Sequence, residues 1–125
     1  MKNKELDDVI QKIIQFEQQL RIIHWQTTNY EKHTAIGIAY EGLGDLIDTF
    51  VEISTGKYGL LTLTDGVKLA NMTGDKDLTS YLDAHVKIFV SLTEILDPAT
   101  DSDLLNIRDE ILGVVNHLRY RLTLK

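Results

Sequence analysis

A chain of 125 residues with 43% apolar and 26% charged side chains is long enough for one domain with one core and too short for two, and its balance is that of a folded protein. Cysteine is absent, which excludes disulfides, thiolate zinc sites and thiol catalysis, so any metal must be held by nitrogen and oxygen. The formal charge of −6 disfavours non-specific binding of nucleic acid by the folded body and suits attraction of cations.

In chain order, residues 4–28 carry Leu6, Ile10, Ile13, Phe16, Leu20 and Ile23 at the three-four spacing of one helical stripe, which predicts a first amphipathic helix. The pattern stops around Thr28, Asn29 and Tyr30. Asn29 is the expected N-cap of a second helix, with Glu31 in its first turn, running to about Thr55. Its stripe is Ile36, Tyr40, Leu43, Ile47 and Phe50. Gly37, Gly42 and Gly44 each weaken that helix by about 0.5–1 kcal/mol relative to alanine, a cost most simply explained by a neighbouring helix coming close.

Residues 56–74 are punctuated by Gly56, Gly59, Gly66 and Gly74, although residues 67–72 could form a short helix. A third helix is predicted from about Lys76 to Leu96, capped by Asp75, with Leu78, Leu82, His85, Phe89, Leu92 and Leu96 on its inner stripe. Asp97-Pro98 ends it. Thr100-x-x-Asp103 resembles a capping box opening a fourth helix, with Leu104, Ile107, Ile111, Val114, Leu118 and Leu122 facing inward.

Linker lengths select the architecture. Helices one and two, and helices three and four, are joined by so few residues that each pair must be an antiparallel hairpin. A helix of roughly 24 residues is about 36 Å long, and about 11 extended residues cover that distance. The long link between helices two and three can therefore traverse the bundle and set those helices parallel. The expected fold is all-α, a ferritin-like four-helix bundle with one long crossover, forming a single domain over residues 1–125. No run approaches the roughly 20 apolar residues of a membrane span, and the N-terminus leads into no signal-peptide core. No membrane role is expected, and the cytoplasm is the expected location.

The candidate chemistry lies on the first hairpin. His24 follows Leu20 by four residues, and His33 falls in the first turn of helix two, so the short turn brings both imidazoles to one end of the bundle. Asp48 and Glu52 are four apart and project from one face of helix two. Two imidazoles and two carboxylates form a competent set for Fe²⁺, Mn²⁺ or Zn²⁺. Asp48, however, lies 15 residues after His33, roughly 22 Å along a helix, so the four cannot hold one ion within one chain. They can if two copies pack antiparallel about a two-fold axis, each offering its histidines to the other's acids.

His24-Trp25, His33, Tyr40, Asp48 and Glu52 together resemble the inter-subunit ferroxidase motif of Dps proteins, the DNA-protecting relatives of ferritin. Tyr40, Asp48 and Glu52 follow His33 by 7, 15 and 19 residues, the offsets of that family, and residues 101–105 are similar to the start of its last helix. The pattern His24-Trp25-x-Thr27-x-x-Tyr30-x-x-His33, with Gly56-x-Tyr58-Gly59 after the glutamate, is also similar to short proteins of large phages and other viruses. The resemblance implies a two-iron site in which Fe²⁺ is oxidised, preferentially by hydrogen peroxide, with ferric mineral stored in a hollow shell. It assigns Fe²⁺ to His24 and His33, stabilisation of the Fe³⁺ product to Asp48 and Glu52, and packing or radical scavenging to Trp25 and Tyr40. The chain departs from the family in lacking a long basic N-terminal tail and in its short crossover, so neither DNA binding nor a closed shell follows from the likeness. If the chain is phage-encoded, its place is the host cytoplasm.

Each feature also has a plainer reading. His24 at a helix end can be a boundary residue, and Asp48 and Glu52 a solvated face. His85 is expected to be packed or at an interface, and His117 to be exposed or at a subunit contact. Glu-x-x-His occurs nowhere in the chain, which excludes a di-iron site inside the bundle built on that motif. No phosphate loop or nucleophile motif is present. The contrasting expectation is a non-enzymatic helical bundle, structural or regulatory, with or without a bound metal.

Overall fold

The computed structural model describes residues 2–73 and 78–124. Four helices form: α1 (Lys2–Gln26), α2 (Tyr30–Tyr58), α3 (Leu78–Ile95) and α4 (Ser102–Arg121), and the described residues contain no strand. Around the bundle α1 packs on α2, α2 on α4, α4 on α3 and α3 on α1.

The core follows the expected stripes closely in three helices. Leu6, Ile10, Ile13, Phe16, Leu20 and Ile23 of α1 are buried, as are Leu78, Leu82, His85, Phe89 and Leu92 of α3, with Leu96 just beyond it. On α2, Ile36, Leu43, Ile47 and Phe50 are buried, whereas Tyr40 is only partly covered. On α4 the buried stripe is Leu104, Leu105, Arg108, Ile111, Val115 and Leu118. Ile107, Val114 and Leu122 are only partly buried, so the helix is turned from its expected phase. Doublets such as Leu104-Leu105 and Val114-Val115 leave that phase ambiguous in sequence. It is settled by Arg108, whose guanidinium donates to the Phe89 carbonyl at 3.1 Å and to Thr93 Oγ1 at 2.9 Å.

The crossover departs most from expectation. Residues 67–72 form no helix, because their amide groups are committed elsewhere. The Gln15 and Gln19 side chains accept from the amides of Lys68 and Ala70, and Gln26 from Met72. Upstream, Asp7 accepts from Thr62 N–H and Gln11 from Thr64 and Asp65. Gln19 also donates back to the Ala70 carbonyl at 2.8 Å. A row of α1 side chains at residues 7, 11, 15, 19 and 26 thus serves as the edge against which an extended segment is laid. The partners rise in the same order on both sides, so the crossover runs the length of α1 and delivers the chain to the end where α2 begins. Helices α2 and α3 are therefore parallel, and the fold is the expected bundle with one long crossover.

The turns are specified locally. Asn29 caps α2, its side chain accepting from Lys32 N–H at 3.0 Å. Gly59 ends α2 at φ 95°, a conformation that favours glycine. The fourth helix begins at Ser102, after Asp101 rather than Thr100, and Thr100 instead gives its carbonyl to Lys57 Nζ at 2.6 Å. The expected cap Asp75 and helix start at Lys76 lie outside the described residues. Among the described residues no helix is long and apolar enough to cross a membrane.

Candidate metal centre

The hairpin between α1 and α2 is fixed by a backbone bond from Thr27 N–H to the Ile23 carbonyl and by the Asn29 cap. It places His24 and His33 with ring centroids 3.8 Å apart and planes 15° from parallel. Each Nδ1 faces the main-chain carbonyl of the other residue, His24 to His33 at 2.6 Å and His33 to His24 at 2.8 Å. A carbonyl only accepts, so each Nδ1 carries the hydrogen, and in the neutral ring the lone pair is on Nε2. Neither Nε2 makes a hydrogen bond among the described residues. An imidazole held at Nδ1 by a carbonyl and open at Nε2 is the orientation in which histidine serves as a metal ligand.

Two neighbours shape this pair. A Cβ on Gly37 would lie 2.8 Å from His24 Cε1, so the ring occupies the space a side chain would need. The expectation of close approach therefore holds at Gly37. It fails at Gly42 and Gly44, where a Cβ would meet Val114 and Glu17 at 3.8 and 4.0 Å, an ordinary contact. Tyr40 packs edge-on against His24 with centroids 5.2 Å apart, and the Arg21 guanidinium lies 4.5 Å from the centre of the Tyr40 ring. Trp25, beside His24 in sequence, is 64% exposed, and Tyr30 is 79% exposed.

Asp48 and Glu52 are exposed on α2 and make no hydrogen bond or ion pair among the described residues. Both lie on the same unbroken helix as His33, so the roughly 22 Å separation stands. Among the described residues no group of three or more His, Asp or Glu side chains converges within the chain. The structure thus brings His24 and His33 together, with Tyr40 beside them, and leaves Asp48 and Glu52 at the far part of α2.

The other histidines behave structurally. His85 is buried, stacked on Phe16 at 4.7 Å and close to Tyr81 at 4.3 Å, with Nδ1 donating to the Tyr81 carbonyl at 2.9 Å. Burial lowers its pKa from the ordinary 6.5, and the charge of Lys12 acts the same way, while the bond to Tyr81 opposes them. His117 is exposed. Arg21 went unnoticed in the sequence, although it lies one helical turn before His24 on the same side of α1, a spacing that can be read directly.

Fold and site together define a one-crossover helical bundle whose first hairpin presents a locked pair of imidazoles. The chain belongs to a family of unknown function (DUF5856), matched over residues 24–122. That span begins at His24 and includes His33, Tyr40, Asp48 and Glu52. No curated protein and no solved structure matches the chain.

Proposed function

We propose that this protein binds Fe²⁺ and oxidises it, with peroxide as the preferred oxidant, at a site shared by two copies of the chain. The observation that carries the reading is the reciprocal bonding of His24 and His33, which spends both Nδ1–H groups on backbone carbonyls and leaves a lone pair on each Nε2 for a metal ion. In an antiparallel two-fold dimer those nitrogens meet the Asp48 and Glu52 carboxylates of the second copy. Imidazole suits Fe²⁺, and the hard carboxylate oxygens favour the Fe³⁺ product. Two Fe²⁺ would each give up one electron, and those two electrons with two protons would cleave the O–O bond of one hydrogen peroxide to give two waters. Asp48 and Glu52 of the second copy would hold the iron together with His24 and His33, and Trp25 and Tyr40 would lie beside it. The resemblance to Dps proteins supports the same assignment and adds iron storage and oxidative protection as its use. The same ligands also accept Zn²⁺ or Mn²⁺.

The test is an anaerobic Fe²⁺ titration followed by addition of peroxide. Near-stoichiometric oxidation is expected, abolished in Asp48→Ala/Glu52→Ala, whose exposed positions leave the fold intact. Unchanged kinetics in that double variant rule out the site. A monomer that binds no metal points instead to a non-enzymatic scaffold.

A further inference from the structure

The first hairpin carries a cation without a carboxylate. Arg21 makes no ion pair or hydrogen bond among the described residues, and its Nε is buried with no hydrogen-bond partner. Among the described residues its partner is the Tyr40 ring, in a cation–π contact. On α2, Glu41, Asp45, Asp48 and Glu52 follow one another at intervals of four, three and four residues, which is one helical stripe. All four are exposed and unpaired within the described chain. The stripe that carries the proposed iron carboxylates therefore carries two more.

The shared site fixes where those two would fall. Seating His33 opposite the partner's Asp48 and Glu52, whose midpoint is residue 50, sets the two-fold axis beside residues 41–42 of α2. Arg21 lies over Tyr40, within about one helical turn of that axis. The partner residue facing the level of Tyr40 is then about residue 43, flanked by Glu41 and Asp45, each about 3 Å away along the helix.

We propose that Arg21 is the docking cation of the dimer, pairing across the two-fold axis with Glu41 and Asp45 of a second copy. This inference rests on the shared-site reading above and adds a role that needs no metal. Two symmetry-related pairs beside the axis hold the hairpins in the register at which the histidines meet the carboxylates. The pairing gives the Arg21 guanidinium a carboxylate partner that it lacks among the described residues.

The experiment measures dimer dissociation by sedimentation in the presence of a chelator. Fluorescence of Trp25, the single tryptophan, reports on the same face. The wild-type chain is expected to dimerise without metal and to shift its emission to the blue as it does so. Arg21→Gln, and separately Glu41→Gln/Asp45→Asn at exposed positions that leave the fold undisturbed, should each raise the dissociation constant at least tenfold. Arg21→Glu should abolish the dimer, and adding Glu41→Lys/Asp45→Lys to it should restore it. A dimer indifferent to both neutralising variants overturns the proposal and leaves the shared site standing. So does a dimer that forms only when Fe²⁺ is added. A chain that stays monomeric with and without Fe²⁺ overturns both.

Discussion

The two ends of the bundle handle polar groups in opposite ways. At the end where α2 stops, the fully buried Asp101 carboxylate accepts from the Tyr58 hydroxyl and from Asp97 N–H at 2.9 Å, with Lys57 Nζ 3.4 Å away. Lys57 also bonds Asp103 at 2.6 Å, a contact that raises the lysine pKa and lowers that of the aspartate. Every one of these contacts is made inside the chain, and they join α2 to the turn between α3 and α4. At the opposite end, His24 and His33 bond each other's backbone yet leave both Nε2 atoms, the Arg21 Nε–H and the Trp25 indole without such closure among the described residues. A closed network holds a fold together, whereas an ordered but open one is prepared for something outside the chain.

Substitution should separate the two ends most sharply at Asp101. Asp101→Ala leaves Tyr58 and the Asp97 amide without their buried acceptor and is expected to cost about 3 kcal/mol in urea unfolding, in the range for breaking a buried charged network. His24→Ala, which loses about one hydrogen bond to a carbonyl, should cost about 1 kcal/mol while removing iron binding. Equal losses of stability at the two positions would erase the distinction.

Gly37→Ala is expected to have an intermediate effect. The new Cβ must displace the His24 ring, so a loss of about 1–3 kcal/mol is expected from overpacking, with weakened Fe²⁺ binding at unchanged helicity by circular dichroism. Gly42→Ala, where the added methyl meets only ordinary contact, should stabilise or be neutral. That contrast distinguishes a cradle for the imidazole from a general need for small residues on α2.

The smallest effect is expected at His85, which belongs to neither end. Its folded pKa is depressed by burial, so the unfolded chain takes up the proton first. Its contribution to stability is complete above the ordinary pKa of about 6.5 and is lost as pH falls through the lower folded value. Melting temperature should therefore decline from pH 7 to pH 5 in the wild-type chain and decline less in His85→Gln. Identical slopes would assign the acid sensitivity elsewhere.

Much of the fold was legible because helix burial follows a local period. The stripe of α3 was read without a missing residue and that of α1 lacked only Val9 and Gln19, and the Asn29 cap was read from one side chain beside a break in pattern. Linker lengths alone ordered the helices. The phase of α4 was not legible, since adjacent apolar doublets satisfy two phases and the decision belongs to Arg108, an acceptor-seeking group whose partners lie on α3. The extended path of residues 67–72 was not legible for a related reason. A glutamine on a helix surface reads as solvated, and nothing local reveals that Gln15, Gln19 and Gln26 accept from amides some 50 residues away.

At the candidate site the division is the same. The sequence by itself determined which residues are candidates for the chemistry, that both histidines reach one end of the bundle, and that Asp48 and Glu52 cannot join them within one chain, because spacing along a helix is a length. Only the tertiary structure decided that each imidazole spends its Nδ1 on the other's carbonyl, that Gly37 clears the space for His24, and that Arg21 is left without an acid among the described residues. Those facts depend on two helices meeting at one distance and rotation, which no pattern within either helix records.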